Sequence, residues 1–232
     1  MSCEMAEIDD SSVPPAPPKA RKKYGPREGT AQRRQDVLDA AMQVFGAKGF
    51  HGGTLSEVAD RAGMTQAGVL HHFGSKSNLL RAVIDYRDNV DSSVAHAAYG
   101  IGFFRHLVAT AQANTTRPGI VQTYAVLSAE SVTEGNPGGE YFAGRFETLR
   151  ELVLDQLRQL NPPDDPLTDR QLQAAASNII ALMDGLQVQW LLNPGSVDLV
   201  NDTFFGIDAI VCAVAEGASR RHIVDLHDPP PA

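Results

Sequence analysis

Between Thr54 and Lys76 the sequence sets helix starts and stops so close together that only short helices fit. Thr54 and Glu57 have the T-x-x-E spacing of a capping box, in which hydroxyl and carboxylate each satisfy an orphan amide of a helix's first turn. The spacing predicts a helix over 54–62, ended by Gly63, which tolerates the left-handed backbone of a tight turn. Thr65 then caps a helix running to about His72, Gly74 breaks it, and Ser75 caps a further helix from Lys76. A longer helix over 31–48 precedes them, with Leu38, Ala41, Met42 and Phe45 on one face and Gly49 at its close. Two short helices joined at Gly63-Met64 behind a supporting helix have the spacing of a helix-turn-helix. In that motif the second short helix enters the major groove and its first residues meet base edges. A generic small helical bundle is the bland alternative; two capping threonines, a glycine turn and local positive charge occurring together weigh against it.

The charge distribution points the same way. The net charge is -8, yet residues 1–18 carry -4, residues 19–76 carry +5, and residues 77–232 carry -9. A basic block beside a long acidic one implies that one part of the chain meets a polyanion, a solvated charge run being the alternative. Lys19, Arg21, Lys22, Lys23 and Arg27 fall in a Pro- and Gly-punctuated stretch suited to a flexible phosphate-following arm. Cys3 and Cys212 make neither a disulfide framework nor a metal site. The first 18 residues are not a secretory signal, and Asp208 and Glu216 interrupt the apolar run at 203–218. These features predict a soluble, cytoplasmic protein with no membrane contact.

Apolar residues recur at intervals of three and four almost throughout, so the expected fold class is all-α. Further helices are predicted over 101–116, 118–134, 139–161, 168–192 and 198–221, separated by Pro- and Gly-containing turns, with a second capping box at Thr168 and Gln171. No internal repeat is present.

The stretch AQRRQDVLDAAMQVFGAKGFHGGTLSEVADRAGMTQAGVLHHFGSKSNLLRAV, over residues 31–83, resembles the N-terminal domain of the tetracycline-repressor (TetR) family. Its most telling parts are FGAKGF, T-L-S-E-V-A, AGMTQAGVLHHFGSK and the Leu79-Leu80 pair. The remainder resembles the family in helix number and order. The resemblance implies an all-helical homodimer: an N-terminal three-helix helix-turn-helix domain followed by a larger ligand-binding and dimerisation domain. The organisation expected is a disordered basic arm (1–29), the DNA-binding domain (30–76), the effector and dimer domain (77–225) and a disordered tail (226–232).

It also implies that Gln66, Ala67 and Gly68 sit at the base-reading end of the third helix. Gln66 is suited to a bidentate pair with adenine, and Gly68 to close backbone approach. Leu70 stands where many members carry a phosphate-binding Tyr, leaving it a thymine methyl to touch. His71 and His72 occupy phosphate-facing positions; as neighbours on a helix they point about 100° apart and make a poor metal pair. Lys76 matches a phosphate clamp at the fourth helix's N-terminus. Thr54 matches a second phosphate contact, although its cap alone accounts for it, and Ser56 replaces a longer base-reading side chain. With Arg27 of the arm these complete the expected DNA contacts.

In the C-terminal half, the helix over 168–192 is apolar on nearly every side from Ile179 onward, and so must be buried on more than one side. The expected dimer face is Met183, Leu186 and Trp190, with Thr203, Gly206, Ile210, Ala213 and Gly217 of the last helix, packed as a four-helix bundle. A large monomer core is the alternative. An effector pocket is expected among Phe103, His106, Tyr124, Phe142, Arg145, Asp184 and Gln187, with Gln122 also within reach; most of the aromatic residues are equally explained as core. Asp184 stands out as a carboxylate in an apolar run, costly unless paired or at a cavity. No cofactor and no metal is expected. Phosphate-cradling glycine loops, nucleophile elbows and metal-ligand spacings are missing from the sequence, which argues against an enzyme. The leading expectation is a ligand-responsive repressor at a pseudo-palindromic operator, and the second an architectural DNA-binding protein without an effector.

Overall fold

A computed structural model describes residues 28–95 and 99–220, with side-chain placement for 29–86 and 99–220. The expected arm with Arg27, and the tail at 226–232, lie outside the described residues. Those described form nine helices and no strand: α1 (Glu28–Gly52), α2 (Leu55–Arg61), α3 (Gln66–Phe73), α4 (Lys76–Ala95), α5 (Ile101–Thr115), α6 (Pro118–Glu130), α7 (Gly139–Leu160), α8 (Asp169–Leu192) and α9 (Leu199–Glu216). α1 is broken where the sequence places its close, at Gly49, whose φ of 71° leaves the helical region.

Two apolar cores organise the chain. The first joins α1–α4 around Phe45, Val58, Val69, Leu79, Leu80 and Val83, and continues to Ile84, beyond the expected boundary at 76. The second joins α5 and α7–α9 around Phe103, Phe104, Leu157, Leu172, Ile179, Ile207 and Val214. α6 ties the halves together by lying along α1. The Thr123 hydroxyl lies 2.9 Å from the Met42 carbonyl, an approach that requires glycine at position 46, where a Cβ would sit 2.5 Å from Thr123 Oγ1. At the end of α6 the Glu130 carboxylate accepts the amides of Phe50, and of His51 at 2.9 Å, just past the break in α1.

The last helix ends earlier than expected. It stops at Gly217 instead of running to 221: φ there is 83°, and a Cβ would stand 2.4 Å from the Asp165 carbonyl oxygen. That carbonyl accepts the Ala218 amide at 3.0 Å, and the Asp165 carboxylate accepts the Ser219 amide at 2.7 Å and the Ser219 hydroxyl. These bonds, the hydroxyl's first, hold the Asp165 carboxyl below its ordinary range. Gly217 is therefore a buried helix terminus against the 162–165 loop of its own chain.

Thr203 is fully buried beside Ile207, Val211 and Val214 on α9's inner face. Gly206 meets α8 of the same chain, where a Cβ would stand 2.3 Å from a Leu182 methyl. At Gly206 α8 and α9 of one chain thus make a close crossing. Met183 is half-buried and turned to a cavity, while Leu186, Trp190, Ile210 and Ala213 are half-buried. The apolar side chains that do face outward are Val188 (45% exposed) and Leu192 (81%) on α8, with Phe204 (54%) and Phe205 (76%) on α9.

The Thr203 hydroxyl is buried without a hydrogen-bond partner. Such a group pays desolvation with no return, so Thr203→Val, which keeps the shape, is expected to stabilise the fold by about 1 kcal/mol and raise the melting temperature by roughly 2–4 °C. A lower melting temperature in differential scanning calorimetry would show that the hydroxyl is bonded after all.

Candidate functional site

The reading head is built by its caps. Glu57 N–H donates to Thr54 Oγ1 at 3.2 Å, while Thr54 N–H donates to Glu57 Oε2 at 3.0 Å, forming the expected box. Thr54 also donates its hydroxyl to Glu57, and the Lys48 ammonium pairs with the same carboxylate. The Lys48 bond, then the Thr54 amide and hydroxyl, lower the Glu57 pKa to about 2. Both functions of the Thr54 hydroxyl are thereby engaged in the cap, the simpler of its two expected roles. Ser56 is exposed on α2.

α3 begins with Thr65 Oγ1 accepting the Gly68 amide at 3.1 Å, and Val69 and Phe73 bury its inner face. The opposite side leaves Gln66, Ala67 and His71 exposed, with Gly68, Leu70 and His72 half-buried. A Cβ at Gly68 would press on the Met64 methyl at 3.1 Å. The His71 and His72 rings stand 5.8 Å apart, and no group of three or more His, Cys, Asp or Glu suited to a metal occurs among the described residues.

Lys76 opens α4 with its ammonium 4.6 Å from the Phe50 ring centroid and 3.5 Å from the His51 carbonyl, so it is braced from beneath. Arg34 adds a cation that sequence reasoning did not single out: its guanidinium lies 4.3 Å from the Phe73 ring centroid and 3.4 Å from the His72 carbonyl. The only signal for it was the Arg33-Arg34 pair near the start of α1.

A cavity of about 600 Å³ opens among α5, α6, α7 and α8. Phe103, His106, Tyr124, Arg145, Asp184 and Gln187 all line it, as does Met183, expected instead at the dimer face. Phe142 does not. It is 4% exposed and packs in the first core, its ring 5.6 Å from that of Tyr124, because its position on α7 points at the seam with α1–α4. Gln122 is exposed and does not line the cavity. The Arg145 guanidinium donates to the Tyr124 hydroxyl at 2.8 Å and stacks on its ring at 4.7 Å.

Sequence reasoning passed over Thr110, Asn114, Glu140 and Thr148, which also line the cavity. The signal for Asn114 lay in the helical spacing Phe103, His106, Thr110, Asn114 along one face of α5. Asn114 is 1% exposed, and its Oδ1 accepts two bonds from Arg117, at 3.1 and 3.0 Å.

Comparison with known proteins matches residues 37–83 to the family described as bacterial regulatory proteins, tetR family, and residues 129–201 to the BetI-type transcriptional repressor C-terminal domain. The chain is 29% identical over 173 residues to the HTH-type transcriptional regulator BetI of Rhizobium meliloti, covering 72% of this chain and 82% of that one. It is 23% identical over 194 residues to the HTH-type transcriptional regulator TtgR of Pseudomonas putida, covering 78% and 91%. Among solved structures, NalD, the secondary repressor of the MexAB-OprM multidrug efflux pump in Pseudomonas aeruginosa, matches with a TM-score of 0.61 at 19% identity over 80% of this chain and 97% of that one. A SmeT–triclosan complex matches with a TM-score of 0.67 at 17% identity over 86% and 100%.

Proposed function

The chain belongs to the TetR family of helix-turn-helix transcriptional regulators, and from that premise we propose that it is a homodimeric repressor released from a pseudo-palindromic operator by a small-molecule effector. The observation that carries this reading is the placement of α6. Tyr124 lines the cavity and at the same time belongs to the first core, and Glu130, at the end of the same helix, holds the amides of Phe50 and His51. A ligand that displaces Tyr124 or its Arg145 partner thus pulls on the segment that positions α2. Coupling of this kind is a population shift between DNA-competent and incompetent arrangements. The curated relatives are regulators rather than enzymes, and no described helix is long and apolar enough to cross a membrane. An architectural protein without an effector has no use for a 600 Å³ cavity wired to its reading head.

The face proposed to dimerise is the outward one, Val188, Leu192, Phe204 and Phe205, with Gly185 one turn before Val188 on α8, where an added Cβ would meet nothing within 4 Å. Gln66, Ala67, Gly68, Leu70 and Ser56 are proposed to face bases; His71, His72, Lys76, Arg34 and the arm with Arg27 are proposed to face phosphates.

The test is to recover genomic fragments retained by the full-length protein and to titrate binding against salt. One enriched palindrome is expected, and with about 6–10 phosphate contacts per dimer the log-log slope should be about -5 to -9. Screened small molecules should release the retained fragment. A slope near zero, or fragments with no common sequence, would overturn the reading.

A further inference from the structure

Two polar atoms on the cavity wall are buried with no hydrogen-bond partner in the protein: the Asn114 Nδ2 donor and the Gln187 Oε1 acceptor. Their residues are 1% and 5% exposed, so the surface does not offer them solvent. A native fold leaves few such groups unpaired, and a pair of opposite kind on one cavity wall marks where a bound molecule supplies the missing bonds. Asn114 cannot escape by flipping its amide, because Arg117 holds Oδ1 with two N–H groups.

Two charged groups of the wall, Arg145 and Asp184, have partners within the protein. Arg145 is bonded to the Tyr124 hydroxyl and stacked on its ring, and Asp184 is likewise not without a partner. Glu140 is exposed. Much of the remaining wall is apolar, including Leu107, Leu152, Ile180 and Met183. The two unpaired groups of the wall are neutral amides, so a neutral polar group meets them without the cost of desolvating a charge, which an ionised ligand would incur.

We infer that the cavity takes an uncharged, mostly apolar molecule bearing both an acceptor and a donor, a hydroxyl on an aromatic or aliphatic body being the simplest. Its oxygen accepts from Asn114 Nδ2 and its O–H donates to Gln187 Oε1. The inference rests on the proposed effector role of this cavity for its biological meaning, but its test uses no DNA, so its failure is distinct from a failure to find an operator.

The experiment is calorimetric titration of the full chain with 4-hydroxybiphenyl, 4-methoxybiphenyl, 4-methylbiphenyl, biphenyl-4-carboxylate and protonated 4-(aminomethyl)biphenyl. The hydroxyl compound is expected to bind about tenfold or more tightly than the methyl, carboxylate and ammonium compounds, with the methoxy compound, an acceptor alone, in between. Asn114→Asp keeps Oδ1 for Arg117 and exchanges the donor for an oxygen, and Gln187→Met removes the acceptor at similar volume. Each should weaken the hydroxyl compound about tenfold and change the methyl compound by less than about twofold. Should thermal unfolding show that Asn114→Asp does not fold, Gln187→Met decides: it must erase the preference for hydroxyl over methoxy. Equal binding of hydroxyl and methyl compounds, tighter binding of either ion, or no saturable binding of 4-hydroxybiphenyl overturns the inference.

Discussion

Phe205→Glu is expected to leave a folded chain that no longer dimerises and has lost most of its operator affinity. Phe205 is 76% exposed on the outward side of α9, opposite the face that builds the second core, so its removal costs the fold little. In a twofold dimer the side chain counts twice, and at about 1.5–3 kcal/mol for burying each phenyl group the substitution removes roughly 3–6 kcal/mol of association energy. The new carboxylate also joins Asp202 and Asp208, which are exposed on the same helix. Sedimentation equilibrium should show the dimer dissociation constant raised at least ~100-fold, with the helical circular dichroism unchanged. DNA affinity should fall with it, since two half-sites are held tightly only when the reading heads are linked. A variant that stays dimeric at micromolar concentration would move the interface off the α8–α9 face.

The second large effect is expected at Gln66, and the comparison with Lys76 gives it meaning. Gln66 is exposed at the first turn of α3, so Gln66→Ala should leave stability unchanged or slightly raised, alanine being the better helix former. On the operator it should cost about 1–3 kcal/mol and relax preference at one symmetric pair of positions, the discrimination a bidentate glutamine–adenine contact supplies. Lys76→Ala should weaken operator and random DNA together and flatten the salt slope. It should also lower thermal stability slightly, since the ammonium stacked on Phe50 contributes roughly 0.5–1 kcal/mol. Quantitative binding to operator and scrambled duplexes separates the two. If Gln66→Ala weakens both duplexes equally, the residue touches backbone only, and base reading falls to Ser56, Leu70, the histidines or DNA deformability.

Local chemistry made the reading head legible in advance. Thr54, Glu57, Thr65 and Ser75 specify helix starts through side chain-to-amide bonds made within three residues, and Gly49, Gly63 and Gly74 specify stops through their own backbone freedom. Such interactions need no partner from elsewhere in the chain, so sequence alone set α2, α3 and the start of α4. The same is true of the capping box at Thr168. Helix count and class followed from the three-and-four recurrence of apolar residues.

What the tertiary structure decided is which way apolar helices turn. α9 is apolar around most of its circumference, so its sequence is compatible with several orientations. The choice is made by the close crossing of Gly206 on Leu182 and by the burial of Thr203, Ile207 and Val214, which send Phe205 outward. The end of α9 depended on Asp165, distant in sequence, and the loss of Phe142 from the cavity on its packing against α6 and the first core. The cavity itself, with the unpaired Asn114 Nδ2 and Gln187 Oε1 on its wall, exists only once α5, α6, α7 and α8 are brought together. Capping bonds are short-range and readable residue by residue. The direction of a buried face is a property of the whole packing arrangement, which one helix's periodicity does not contain when nearly every side of it is apolar.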